Sequence, residues 1–176
     1  SVGGADLPIL AENNVEHPGQ AIALLCGDDE LQLQRLAERI EIQYNRGDPF
    51  SLTRDYKIDQ ELYTRRLSVG NTAAAFEKAL HITEGEYRYE PPGRSFAGPC
   101  GALAIAKDGG IQIAAPAIWA FHVRDAVAGA MRMDRDAVQV KCTRVTRGDP
   151  NTLWYASLTA AQAAAASLIT GRPVRM

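Results

Sequence analysis

The sequence predicts an α/β to α+β fold, a mixed sheet with packed helices. Three stretches carry this reading. Residues 20–44 run strand, helix, strand. "ALAIAKDGGIQIAA" (102–115) is a hairpin followed by a helix and a further strand. "LWYASLTAAQAAAASLIT" (153–170) is apolar nearly all round and leads into "PVRM", the start of another strand.

Taken in order, residues 1–19 are turn-rich and without period, an irregular lead-in. "QAIALLCG" is a short apolar run closed by glycine, the pattern of a buried strand. Asp28 or Asp29 can cap the helix that follows, because a carboxylate there accepts from N–H groups lacking a helical partner. In "DDELQLQRLAERI", Leu33, Leu36, Ala37 and Ile40 recur at helical spacing and form one apolar face. "EIQY" reads as the next strand. Residues 45–70 mix charges of both signs and read as a surface connection. Asn71 can cap "TAAAFEKAL", and "HITEGEYRYE" alternates as a strand. "PPGRSFAGPCG" holds three prolines and three glycines in eleven residues, which excludes regular structure because proline lacks the ladder donor.

The "KDGG" of the hairpin supplies glycine for the positive φ of a tight turn. "AIWAFHVRDAVAGAM" is an amphipathic helix with Trp119, Val123, Ala126, Val127 and Ala130 on one face. In "DAVQVKCTRV", Val138, Val140 and Cys142 alternate inward against Gln139, Lys141 and Thr143. The alanine-rich helix 153–170 requires cover on several sides; Gly171 ends it and Pro173 prevents its continuation. The closing "PVRM" either completes a sheet or marks a piece of a larger fold.

The chain has 176 residues, with 46% hydrophobic and 23% charged, a net charge of −2 and a pI near 5.9. Such a balance is ordinary for a globular domain and provides no basic surplus for nucleic acid. No apolar run approaches the ~20 residues of a membrane span. Cys26, Cys100 and Cys142 are odd in number and far apart, which predicts free thiols in a reducing, cytoplasmic setting. Cys26 and Cys142 are expected to face the core.

Candidate chemistry is sparse. His17, His81 and His122 have no partner at metal-ligand spacing, so no metal site is assigned. His122 is expected to pack or lie at the surface. Cys100 lacks a nearby histidine to lower its pKa. Glu84 and Glu86 share a strand face and, with Glu16 and Glu90, are expected to be solvated. "RGDP" occurs at 46–49 and again at 147–150, each time as a strand-to-turn exit.

Several stretches, in order, resemble one family. "TGRPVRM" with the preceding helix, "DGGIQIAAPAIWAFHVRDAVAGAMRMDRDAVQVKC", "VGNTAAAFEKALHITEGEYRY" and "ENNVEHPGQAIALLCGDDELQLQRLAERIEIQY" are together similar to the large subunit of the molybdenum hydroxylases, the xanthine dehydrogenase/aldehyde oxidase family. The resemblance covers about residues 12–176. It implies a hammerhead-like α/β part with its connecting segment over 1–70 and a molybdopterin-binding-like α+β part over 71–176. It further implies a molybdopterin-type cofactor, hydroxylation of an aldehyde or nitrogen heterocycle with oxygen from water, and electron transfer to iron–sulfur and flavin domains or subunits. The family's catalytic glutamate would lie downstream of this chain, so no catalytic residue is assigned here.

The family's loop G-G-G-F-G-G-K falls on "TRGDPNT", where Gly148 alone is kept and is the one cofactor-binding candidate. Asp149 takes the aromatic position, and Pro150 removes a donor. "PGRSFAGP" replaces a polar Gln-x-His stretch, and Ile118 stands near the position of an expected glutamine. Three readings remain open. The chain is a component or split part of such an oxidoreductase, not catalytic alone, working with iron–sulfur and flavin subunits or the rest of the large subunit. Alternatively it is a non-catalytic scaffold, or a binding module using the 91–101 loop, and either could be a homo-oligomer.

Overall fold

The computed structural model describes residues 8–45, 64–88 and 100–143, the backbone of 150–154, and residues 155–176 in full. The chain divides into two compact units, Ser1–Ile40 with Ser95–Met176, and Glu41–Arg94.

The first unit holds a mixed four-stranded sheet in the order β3-β2-β1-β4, with β1 at Leu103–Lys107, β2 at Gly110–Ala115, β3 at Val138–Cys142 and β4 at Val174–Arg175. β1 and β2 are antiparallel, joined by Asp108 and Gly109. Both turn residues have positive φ, 52° and 78°, as a two-residue type I′ connection requires. β3 runs parallel to β2, so a crossover is needed, and α3 (Ala120–Met131) provides it. α4 (Pro150–Thr170) then carries the chain to β4, which pairs antiparallel with β1 at the far edge.

Pairing places Val174, Ala104, Ile113 and Val140 opposite one another across the four strands, and α3 and α4 cover this face. Ile111, Ile113, Val123 and Val127 are fully buried, worth about 1.5–3 kcal/mol each. Ala156, Ala160, Ala163 and Ala164 of α4 are also fully buried. Their spacing is one helical stripe, and their small side chains let α4 lie close on the sheet and on α3. The expected cover of α4 on several sides is therefore met. On α3, Val123, Val127 and Ala128 are buried, whereas Ala130 and Trp119 are exposed, so the buried stripe lies slightly to one side of the expected one.

α3 ends at Arg132, a non-glycine residue with φ 53°. The Met133 N–H donates to the Ala128 carbonyl at 3.0 Å and the Arg132 N–H to Gly129 at 3.3 Å, the paired bonds of a Schellman motif. α4 ends as expected at Gly171, φ 65°. Ser167, fully buried in the last turn of α4, joins helix and sheet. Its Oγ accepts from the Ala106 N–H at 2.9 Å and donates to the Arg172 carbonyl at 2.8 Å.

N-terminal to the sheet, α1 (Glu30–Ala37) is capped by Asp29, whose Oδ1 accepts from the Leu31 and Gln32 N–H groups at 2.9 and 3.3 Å. Arg172 reaches Asp28 at 2.9 Å, and Arg175 reaches Glu30 at 3.5 Å. Ile9 packs against the core, and its carbonyl accepts from buried Gln162 at 2.8 Å.

In the second unit, α2 (Thr72–Lys78) is capped by Asn71, which accepts from the Ala74 N–H at 3.1 Å. Three expected strands do not form ladders. Residues 20–27 and 41–44, and the described part of 81–90, carry no strand pairing. A strand exists only against a partner; period and composition suit strands in these stretches, but among the described residues no ladder pairs with them. Cys26 and Cys142 are both exposed, against expectation. Cys26 lies on one of the unpaired stretches, and Cys142 is the last residue of β3.

Candidate functional site

Strand direction gathers several sequence features at one end of the sheet. β2 and β3 are parallel and end together at Ala115 and Cys142. α3 begins just after β2, and α4 begins after the connection that follows β3. Both helix N-termini therefore lie beyond the carboxyl ends of the parallel strands, where open α/β sheets commonly take ligands. β1 starts at this end because Leu103 pairs with Ala114. β4 finishes there, with the Met176 N–H donating to Ala102 at 2.9 Å and the Ala102 N–H to Met176 at 3.2 Å. Gly101 is required at this point, since a Cβ would lie 2.5 Å from the Met176 carbonyl oxygen.

Three segments singled out in the sequence thus border this end: the 91–101 loop at its exit, Cys100 and Gly101, the β2–α3 turn at Pro116–Trp119, and the β3–α4 connection at its two flanks, Thr143 and Pro150. Gly148 and Asp149 fall in that connection, among residues 144–149 and outside the described residues. The first "RGDP" is likewise outside them. Pro150 of the second copy is the first residue of α4, a position that suits proline because its missing N–H would have no helical partner.

The described side chains here are mostly apolar or already engaged. Ile118, Trp119 and Phe121 are exposed. The Trp119 and His122 rings lie 4.9 Å apart between centroids. His122 Nδ1 shares a 2.8 Å hydrogen bond with Ser157 Oγ, tying the first turn of α3 to α4. Burial holds the His122 pKa below its ordinary value of 6.5, and Asp125 opposes that shift in part. Arg124 lies 5.1 Å over the Phe121 ring and pairs with Asp125 at 2.9 Å. Arg135 also reaches Asp125, at 3.4 Å. Cys100 is half-buried against the core.

A pterin with its phosphate asks for several donors and a cation. Ile118, Trp119 and Phe121 provide apolar and π surface but none of these, apart from the indole N–H. Pro150 donates nothing, Arg124 is held by Asp125, and His122 is bonded to Ser157. These residues alone do not fit the group. Elsewhere, Glu16, Glu84 and Glu86 are exposed as expected, and Glu86 makes only a 3.4 Å surface pair with Arg88. His17 and His81 are exposed. Among the described residues, no cluster of three or more His, Cys, Asp or Glu could hold a metal ion, and no helix is long and apolar enough to cross a membrane.

Nothing in the local sequence marked the His122–Ser157 bond. The two residues are 35 apart, and only the docking of α3 on α4 brings them together. The convergence of the three segments was also invisible, because strand order is set by pairing.

A family model described as the molybdopterin cofactor-binding domain matches residues 56–176. Aldehyde oxidase 1 of Rattus norvegicus is 27% identical over 172 residues, covering 95% of this chain and 13% of that protein. Aldehyde oxidase 4 of the same organism is 25% identical over 170 residues, and aldehyde oxidase 2 of Cavia porcellus 26% over 179. The chain spans 13% of the length of each of these curated relatives.

Proposed function

We propose, from the premise that the chain belongs to the molybdopterin cofactor-binding domain family, that it is one component of a molybdenum hydroxylase-type oxidoreductase and is not catalytic alone. The observation that carries this is the single end of the sheet that the N-termini of α3 and α4 share with Cys100 and Gly101 at the exit of the 91–101 loop. The described side chains at that end supply few donors. The remaining contacts to the cofactor, and the proton-accepting group, would then come from other polypeptide.

By descent, residues 1–70 are hammerhead-like and 71–176 molybdopterin-binding-like. Gly148 is the one position of the connection where backbone could approach the cofactor without a Cβ intervening. When bound, the cofactor supplies oxidation of an aldehyde or heterocycle carbon with oxygen drawn from water. This chain's part is to present the helix N-termini and to hold α3 and α4 together through His122 and Ser157. Partners are iron–sulfur and flavin subunits, or the rest of a split large subunit, in a reducing cytoplasm where the three free cysteines stay reduced.

Pro150 and Ile118 favour a second reading, a scaffold that has lost the cofactor. The two separate when the chain is tagged and recovered from its native host. Co-purification of iron–sulfur and flavin chains in fixed ratio supports the oxidoreductase component. Recovery alone, or only with itself, supports the scaffold.

A further inference from the structure

We infer that Ser68 is a phosphorylation site, the acceptor for an ATP-dependent serine/threonine kinase whose substrate groove carries carboxylates. This goes beyond cofactor binding and does not depend on it. The stretch "RRLSVG" (65–70) places Arg65 and Arg66 three and two residues ahead of Ser68, and Val69 directly after it. Among the serines and threonines of the chain, Ser68 alone has arginine at both of these positions. No carboxylate interrupts the pattern: between Glu61 and Glu77 the two arginines are the only charged side chains.

The fold presents this stretch to solvent. Residues 64–70 form no helix and, among the described residues, pair in no strand, and each of them is exposed. Leu67 and Val69, on either side of the acceptor, are 91% and 83% exposed. A kinase takes its substrate as an extended segment, and a surface stretch with no helix or ladder to open can enter the groove without loss of regular structure. Gly70 takes a φ of 75° after Val69, and Asn71 then caps α2 by accepting from the Ala74 N–H at 3.1 Å. Residues 65–69 can therefore be engaged while α2 stays formed.

The chemistry follows from these residues. The two guanidinium groups form charge-assisted pairs with carboxylates of the kinase, which sets partner choice by charge pattern. Ser68 Oγ attacks the γ-phosphorus of ATP, the bond from that phosphorus to the β,γ-bridging oxygen breaks, and ADP leaves. The hydroxyl proton passes to the catalytic carboxylate of the kinase. The phosphoserine carries about −1.5 to −2 charges at pH 7. That offsets the two positive charges of Arg65 and Arg66, so the surface from 62 to 76 changes from cationic to nearly neutral. A partner surface that pairs with the two arginines loses its attraction when Ser68 is modified.

Mass spectrometry of the chain recovered from its native host, with phosphatases inhibited throughout, tests this directly. Phosphate mapped to Ser68 is expected, and Ser68 found unmodified in both growing and starved cells would overturn the inference. The recovered protein, stripped by phosphatase, is then incubated with ATP and cyclic-AMP-dependent protein kinase, an arginine-directed enzyme. The folded chain should accept phosphate on Ser68 at a rate within about tenfold of that of a synthetic peptide of residues 62–74, since no local unfolding precedes the reaction. Label on the peptide alone, on another residue, or on neither substrate would overturn the inference. Ser68→Ala should abolish the label. Arg65→Ala combined with Arg66→Ala should slow it at least about tenfold, and the same changes in the peptide should slow it equally, which separates recognition from any change in fold. An unchanged rate in both arginine-free substrates would refute the assignment.

Discussion

Replacing Ser167 with alanine tests how β4 is held. Continuing the pairing of Leu103 with Arg175 and Ala104 with Val174 by two residues brings Ala106 opposite Arg172. Ala102 and Met176 exchange both backbone bonds, so by antiparallel alternation the pair at 106 and 172 should exchange bonds too. It does not do so directly. The chain leaves α4 through Gly171, and the Ser167 hydroxyl bridges the Ala106 N–H and the Arg172 carbonyl. Ser167→Ala removes both bonds from a position with no solvent access. The Arg172 carbonyl belongs to an exposed residue and can turn to water, so the cost is mainly that of the Ala106 N–H, about 1–3 kcal/mol. For a chain of this size that lowers Tm by roughly 2–4 °C per kcal/mol. Urea denaturation with both variants at equal concentration measures the loss, and exchange at Ala106 should accelerate with it. A change below about 0.5 kcal/mol, the ordinary scatter of a neutral substitution, would show that the bridge does not hold β4.

Other substitutions probe other parts of the frame. Arg132→Gly should raise stability by about 0.5–1 kcal/mol, since a left-handed residue at a helix end favours glycine; unchanged or lower stability in denaturant titration would contradict the Schellman reading. Gly110→Ala would put a Cβ 2.8 Å from the Ala137 carbonyl oxygen and should cost about 1–3 kcal/mol through forced backbone shift, read as a lower Tm. Because the His122 pKa is depressed in the fold, the unfolded chain takes up that proton first. The contribution of His122 is therefore complete above about pH 6.5 and is lost as pH falls toward its folded pKa. His122→Gln should flatten the Tm profile below pH 6.5, and identical slopes would refute this.

The fold was legible where a signal is local. Asp29 and Asn71 announce their helices, "KDGG" its turn, and Gly171 with Pro173 the end of α4. Val138 and Val140 show the alternation of β3. What was not legible depends on neighbours. "EIQY" and the described part of "HITEGEYRYE" have strand composition but no strand pairs with them among the described residues. Cys142 keeps its alternation and is exposed all the same, because it is the last residue of its strand. At the candidate site, Ile118 and Pro150 could be singled out from sequence. Their meeting at one end followed only from the parallel pairing of β2 and β3, and the His122–Ser157 bond only from the packing of α3 on α4.

The central claim is that this chain keeps the frame of a molybdopterin-binding domain and leaves part of the cofactor's contacts to other polypeptide. Molybdenum and pterin content measured per chain tests it most directly, on the chain expressed alone in a host that makes the cofactor and on the native complex. The account predicts no stoichiometric molybdenum or pterin in the chain alone, and about one of each per chain in the complex. Stoichiometric molybdenum and pterin retained by the chain alone would contradict it.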